Sequence, residues 1–167
     1  MEKETRQRTF EWDDPIPGAL DARDMAGLDY FQAMNEGRLP LPPLLHTLDF
    51  KVDRIEKGAA VFSFEPKGFH YNPIGTVHGG MISAILDSAM GCTIHSMLPA
   101  GTVYTTLELK VNFLKAVTIN TGELRAVGKV FYSGSRTSLV EAQLFDKNNI
   151  IYAHGVSTCI IMTLNPV

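Results

Sequence analysis

His78, Gly79 and Gly80 stand side by side, and Asp87 follows nine residues after the histidine. All four lie in the stretch NPIGTVHGGMISAILDSAMG, residues 72–91, most of which has the apolar spacing of a helix. A carboxylate in such a helix needs a reason. At 100° per residue, Gly80 lies about 20° from Asp87, Ser83 and Gly91 about 40° to either side, and Ala84 about 60° away. Asp87 therefore sits on a stripe of small residues, which lets a backbone or a ligand come close. Backbone N–H groups in the first turn of a helix have no intrahelical acceptor and stand at the positive end of the macrodipole. Glycines there leave an N–H open to an oxyanion, besides easing a tight entry turn. The chemistry this permits is attack at a carbonyl, with the carboxylate as nucleophile or general base and an N–H as oxyanion donor. His78 either positions the carbonyl or shapes the loop. Asn72 is either a turn residue or an amide that orients water.

The spacing raises a problem. Gly80 and Asp87 are seven residues apart, roughly 10 Å along one helix axis. Groups acting on one carbonyl each lie about 3 Å from it. One helix does not easily supply both, whereas two copies lying side by side and antiparallel do. The spacing predicts a site shared across a two-fold dimer.

The elements that must position these residues follow from the rest of the chain. Residues 1–24 are polar, with scattered Pro and Gly, and read as weakly ordered. DMAGLDYFQAMNEGR has Leu28, Phe31 and Met34 at helical spacing, with Gly37 as a stop. The prolines of LPLPPLLHT predict a stiff extended connector. Residues 48–65 read as two strands around a turn at EKGA, and PKGFHYNPIG as a loop. The long helix runs from about residue 79 to 97 and is expected to be buried nearly all round. From Val103 to Phe113 the pattern alternates almost strictly with period two. TGELRAVGKVFYSG, SRTSLVEAQLFD and IIYAHGVSTCIIM supply three more strands, the last four being antiparallel through short turns. One long helix and about six strands, without βαβ alternation, predict an α+β fold: a curved antiparallel sheet wrapped around a central helix.

A chain of 167 residues suits one domain, and 45% hydrophobic with 20% charged residues excludes wholesale disorder. The net charge of −3 provides no basic field for nucleic acid. Cys92 and Cys159 form no CxxC and read as buried thiols. The opening MEKETRQRTFEWDDP has no apolar core for a secretory signal. No uncharged apolar run reaches the ~18 residues of a membrane helix. The expectation is a soluble intracellular protein, cytoplasmic, with no membrane partner.

The constellation Asn72, His78-Gly79-Gly80 and Asp87, with the strand TLELKVNFLKAV after the helix, resembles the hotdog-fold acyl-CoA thioesterases, in particular the phenylacetate-degradation (PaaI-like) branch. The likeness covers about residues 41–162. It leaves residues 1–40 as an N-terminal extension with a short helix, ahead of a hotdog domain over 41–167. The resemblance implies hydrolysis of an acyl-CoA without metal or other cofactor, CoA being part of the substrate. It also implies homodimers that pair into tetramers. Carried over by position, Asp87 is the nucleophile or the base that activates water. The glycine after the histidine, Gly79, is the family's oxyanion donor, whereas the stripe favours Gly80. His78 and Asn72 help place thioester and water, and Thr106, or Thr105 if the register shifts by one, orients water near Asp87. Lys115, Ser135 and Arg136 are the candidates for CoA contacts. Where many relatives have Arg-Pro after the strand's aromatic residue, this chain has FLKAV, a departure at the CoA contacts and not at the aspartate. Tyr104, Phe113, Phe31 and Trp12 are candidate walls for the acyl group. The rival readings are a non-catalytic acyl-CoA-binding protein and a hotdog hydratase or dehydratase.

Overall fold

The computed structural model describes residues 5–164. Six strands form one antiparallel sheet: β1 (Lys51–Glu56), β2 (Ala59–Phe64), β3 (Thr102–Phe113), β4 (Leu124–Ser133), β5 (Thr137–Asp146) and β6 (Ile151–Thr163). Their order across the sheet is β1-β2-β4-β5-β6-β3. The long helix α4 (Gly79–His95) packs across β2, β3, β4, β5 and β6. Ile85, Leu86, Met90 and Ile94 on the helix and Phe62, Phe64, Leu124 and Leu144 on the sheet are all but fully buried. The wrap is tight because small residues stand where helix and sheet meet. A Cβ on Gly128 would lie 2.6 Å from the Ala89 carbonyl oxygen.

Four expectations need correction. The strands after α4 are antiparallel as expected, but not all of them are joined by short turns. Residues 114–123 carry the chain from β3 to the other side of the sheet, so β4 pairs with β2 and β3 pairs with β6. Within β3 the alternation is not continuous. A bulge between Thr106 and Glu108 adds one residue, and an extra residue moves all later side chains to the other face. Tyr104 and Thr106 meet α4 before the bulge, and Val111 and Phe113 face that side after it.

The other two corrections concern the N-terminal arm and α4. Pro15–Asp24 forms a helix, α1, capped by Asp14, whose Oδ1 accepts the Ile16 N–H at 3.0 Å. Proline suits the first position of a helix, where its missing N–H is not required. The same device turns part of LPLPPLLHT into a helix, α3 (Pro43–Leu48), ended by Asp49 in the left-handed conformation with φ 59°. Between them lies the expected helix α2 (Gly27–Asn35). Finally, α4 is not buried all round in the single chain. Gly80 is exposed, and Ser83, Ala84, Asp87, Ser88, Cys92 and His95 are partly so. The stripe that carries the aspartate is the open side of the helix. Among the described residues, no helix is long and apolar enough to cross a membrane.

Candidate active site

The lead-in to α4 is built by local hydrogen bonds. The Asn72 Oδ1 accepts the N–H groups of Ile74 and Thr76, both at 3.1 Å, and its Nδ2 donates to Thr76 Oγ1 at 2.9 Å. Asn72 is therefore the turn residue of this loop. The loop is fastened by Val77 N–H to the Val117 carbonyl and His78 N–H to the His70 carbonyl, both 2.8 Å. His78 is the N-cap of α4, and its Nδ1 accepts the Gly80 N–H at 2.9 Å. A neutral ring accepting at Nδ1 carries its proton on Nε2. With the Gly80 N–H so engaged, the Gly79 N–H is the one in this first turn without an acceptor among the described residues. Phe113 lies against Gly79, where a Cβ would stand 3.1 Å from its Cζ. Asn72, Gly79, Phe113 and Lys115 line one cleft of about 330 Å³.

Asp87 faces a different space. Thr106 Oγ1 donates to its Oδ1 at 3.1 Å, which decides between the two threonines, since Thr105 is exposed on the other face of β3. Asp87 lines a cavity of about 400 Å³ whose other walls are mostly apolar. Phe31 and Tyr104 line it as expected, and so do Ala19 and Ala22 of α1, Met34 of α2 and Leu45 of α3. Phe113 lies in the smaller cleft instead. Trp12 stands 59% exposed, its ring 5.7 Å from that of Phe10, and does not line the cavity.

Ser88, Cys92, His95 and Tyr30 also line the cavity and were not assigned to a site from the sequence. Three of them could have been: 88, 92 and 95 stand at i, i+4 and i+7, a second stripe beside that of Asp87. Burial, and secondarily the charge of Asp87, pushes the Cys92 thiol up to about 12, so it is no nucleophile at neutral pH. Burial raises the phenols of Tyr104 and Tyr30 and lowers His95, leaving all three neutral. Among the described residues, no group of three or more His, Cys, Asp or Glu side chains could hold a metal ion.

The fold brings Thr106 to Asp87 and His78 to Gly80, but it does not bring Gly79 to Asp87. They are eight residues apart on one helix, about 12 Å, and open into separate spaces. The three candidates for CoA contacts are likewise split. Lys115 is exposed beyond the end of β3, beside the Gly79 cleft. Ser135 and Arg136 are exposed in the β4–β5 turn, where the Arg136 carbonyl accepts the N–H of Ile161, the partner of Tyr104 near the start of β3. The nine steps along β3 from Tyr104 to Phe113 separate the two groups by roughly 30 Å.

Comparison with known proteins gives this arrangement its relatives. Residues 74–153 match the Thioesterase superfamily. A Saccharolobus solfataricus protein whose name places it among esterases is 31% identical over 115 residues, covering 69% of this chain and 80% of its own. An esterase-named protein of Sulfurisphaera tokodaii is 33% identical over 112 residues, covering 67% and 81%. Among solved structures, a phenylacetic acid degradation-related protein from Ralstonia eutropha superposes with a TM-score of 0.71 at 26% identity, covering 78% of this chain and 98% of its own. A thioesterase from Haemophilus influenzae superposes with a TM-score of 0.68 at 15% identity, covering 74% and 85%; it shares the fold, a hotdog.

Proposed function

The chain belongs to the Thioesterase superfamily and is a thioester hydrolase, and from that premise we propose that its substrate is an acyl-CoA and that its site is shared by two subunits. The observation that carries the reading is the Asp87 carboxylate, held by Thr106 in the wall of a cavity of acyl-chain size. Asp87 either draws a proton from water as the water attacks the thioester carbonyl carbon, or attacks that carbon itself and expels the CoA thiolate to give a mixed anhydride, which water then opens to the free acid and the restored carboxylate. In the first route the C–O bond forms as the proton passes to Asp87. The tetrahedral intermediate then expels the CoA sulfur, which takes the proton back. The negative oxygen of that intermediate is stabilised by the Gly79 N–H of the partner subunit, supplemented by the positive end of its helix. His78 serves this by engaging Gly80 and holding the first turn in place. The thioester is already an activated acyl group, so one carboxylate and one N–H donor suffice.

Two-fold pairing is supported by β3. It is an edge strand of twelve residues, bonded to β6 on one side only, with Leu107 60% exposed. A long edge of this kind invites pairing. Pairing two β3 strands antiparallel sets two α4 helices side by side in opposite directions, which brings Gly79 of one toward Asp87 of the other. It also brings Lys115 of one subunit toward the Arg136 end of its partner, where both reach the CoA phosphates. Dimers then join in pairs, within the cytoplasm. CoA release from a panel of acyl-CoA thioesters tests the assignment. Asp87→Asn is expected to lose at least about 100-fold in kcat, and hydrolysis of the best substrate at the wild-type rate would sink it. Solvent oxygen-18 found in Asp87 after one turnover selects the anhydride route.

A further inference from the structure

Three polar groups around the Asp87 cavity have no hydrogen-bond partner among the described residues. The Nε2 of His95 is buried and makes no hydrogen bond. The His95 ring stands edge-on to Tyr30, 5.5 Å away at 84°, and to Phe31, 5.3 Å away at 83°, with Tyr104 at 5.9 Å. The hydroxyls of Tyr30 and Tyr104 have no hydrogen-bond partner among the described residues, although both residues line the cavity. A buried imidazole nitrogen normally finds a partner, and one left without costs stability unless a ligand supplies it, while the two phenols, which are only partly buried, can take a partner from within the cavity. Each long edge of an imidazole carries one nitrogen, so the edge that meets the cavity offers a polar atom whichever way the ring is turned.

The kind of ligand follows from what surrounds these groups. No cation lines the cavity, and Asp87 is already in its wall, so a second carboxylate is disfavoured. A hydroxyl both donates and accepts, which satisfies an imidazole nitrogen in either tautomer together with a phenol. His95 lies eight residues beyond Asp87, about 12 Å along α4. That places the polar end two helical turns from the carboxylate. Tyr30 and Phe31 belong to the arm ahead of the sheet. The Ralstonia eutropha relative is covered almost completely by the match while 78% of this chain is, and the remainder has about the length of that arm.

We propose that the cavity selects a medium-length acyl group with a hydroxyl at the end far from the thioester, bound by His95, Tyr30 and Tyr104. This rests on the acyl-CoA thioesterase reading. The test compares kcat/KM for an ω-hydroxylated medium-chain acyl-CoA and for its unsubstituted counterpart. Wild type is expected to favour the hydroxylated thioester at least tenfold, because the unsubstituted chain leaves the cavity's polar groups unpaired. In His95→Phe, which keeps an aromatic ring and removes both nitrogens, the ratio is expected to fall toward one. Tyr30→Phe, which removes a single oxygen, is expected to lower it in the same direction should His95→Phe fail to fold. A wild-type ratio of one or below overturns the proposal, as does a ratio unchanged in whichever variant folds. Calorimetric binding of the free ω-hydroxy acid and the plain acid to wild type separates the two readings. Preference for the hydroxy acid without hydrolysis of any acyl-CoA sinks the thioesterase reading and keeps this one. Hydrolysis without preference does the reverse.

Discussion

Gly79 and Gly80 are adjacent, identical in type and different in what their N–H groups do. The N–H of Gly80 is taken by His78 Nδ1 at 2.9 Å, and that of Gly79 is left over. From residue spacing alone this distinction was invisible, because helical spacing set Gly80 nearer the Asp87 stripe and said nothing of a histidine folding back over the first turn; only the family resemblance put Gly79 first. The distinction can be tested with one atom. Gly79 is the first residue of α4, and His78 before it is extended at φ −62° and ψ 134°. Proline is favoured at a first helical position and tolerates an extended residue before it. Gly79→Pro therefore deletes the N–H while keeping the helix start. Both it and Gly79→Ala place a carbon about 3.1 Å from Phe113, a ring that is 53% exposed and free to give way. Gly79→Pro is expected to lose roughly 100- to 1000-fold in kcat, and Gly79→Ala at most a few-fold. Equal losses in the two would assign the effect to Phe113 and remove Gly79 as oxyanion donor.

At the scale of elements, the question is how the arm reaches the site. Its α2 begins where α4 ends. Gly27 N–H donates to the Leu98 carbonyl at 3.0 Å, and a Cβ on Gly27 would stand 1.7 Å from the His95 carbonyl oxygen. Nothing but hydrogen fits there. Gly27→Ala must lift the start of α2 off the end of α4, an overpacking cost of about 1–3 kcal/mol. The expected outcome is a Tm lowered by roughly 3–10 °C and faster proteolysis in the arm. A Tm and a cleavage pattern like wild type would show that the arm is not docked through this contact. The elements legible in the sequence were those with regular patterns: α2, α4, the two strands before α4 and the strands after it. Those missed share a physical cause. In α1 and α3, proline occupies an opening turn, so a residue that forbids a helix interior starts a helix instead. In β3, a bulge changes which face a side chain takes without changing hydrophobicity. Thr106 and Val111 differ in parity yet both face α4, because the bulge at Leu107 lies between them, and Thr106 reaches Asp87 only because Tyr104 and Thr106 face inward ahead of it.

For the whole molecule, the decisive matter is that one chain keeps Gly79 and Asp87 apart. Gly79 and Asp87 open into different spaces about 12 Å apart. If catalysis joins Asp87 of one subunit to Gly79 of its partner, two inactive variants must repair each other. Consider a dimer of one Asp87→Asn subunit and one Gly79→Pro subunit. One of its sites receives both lesions. The other receives neither, because the intact aspartate comes from the Gly79→Pro subunit and the intact glycine from the Asp87→Asn subunit. When the two variants are unfolded together in equal amounts and refolded, random pairing makes half the dimers mixed, and activity should return to about a quarter of wild type. Each variant refolded alone stays inactive. A site contained within one chain predicts no recovery at any mixing ratio, since every chain then carries a lesion in its own site. Diluting the wild-type enzyme asks the same question in another form. Activity per subunit should fall in step with the fraction of dimer measured by sedimentation, whereas full activity in a monomer would return the aspartate and the glycine to a single chain and leave the 12 Å between them without a bridge.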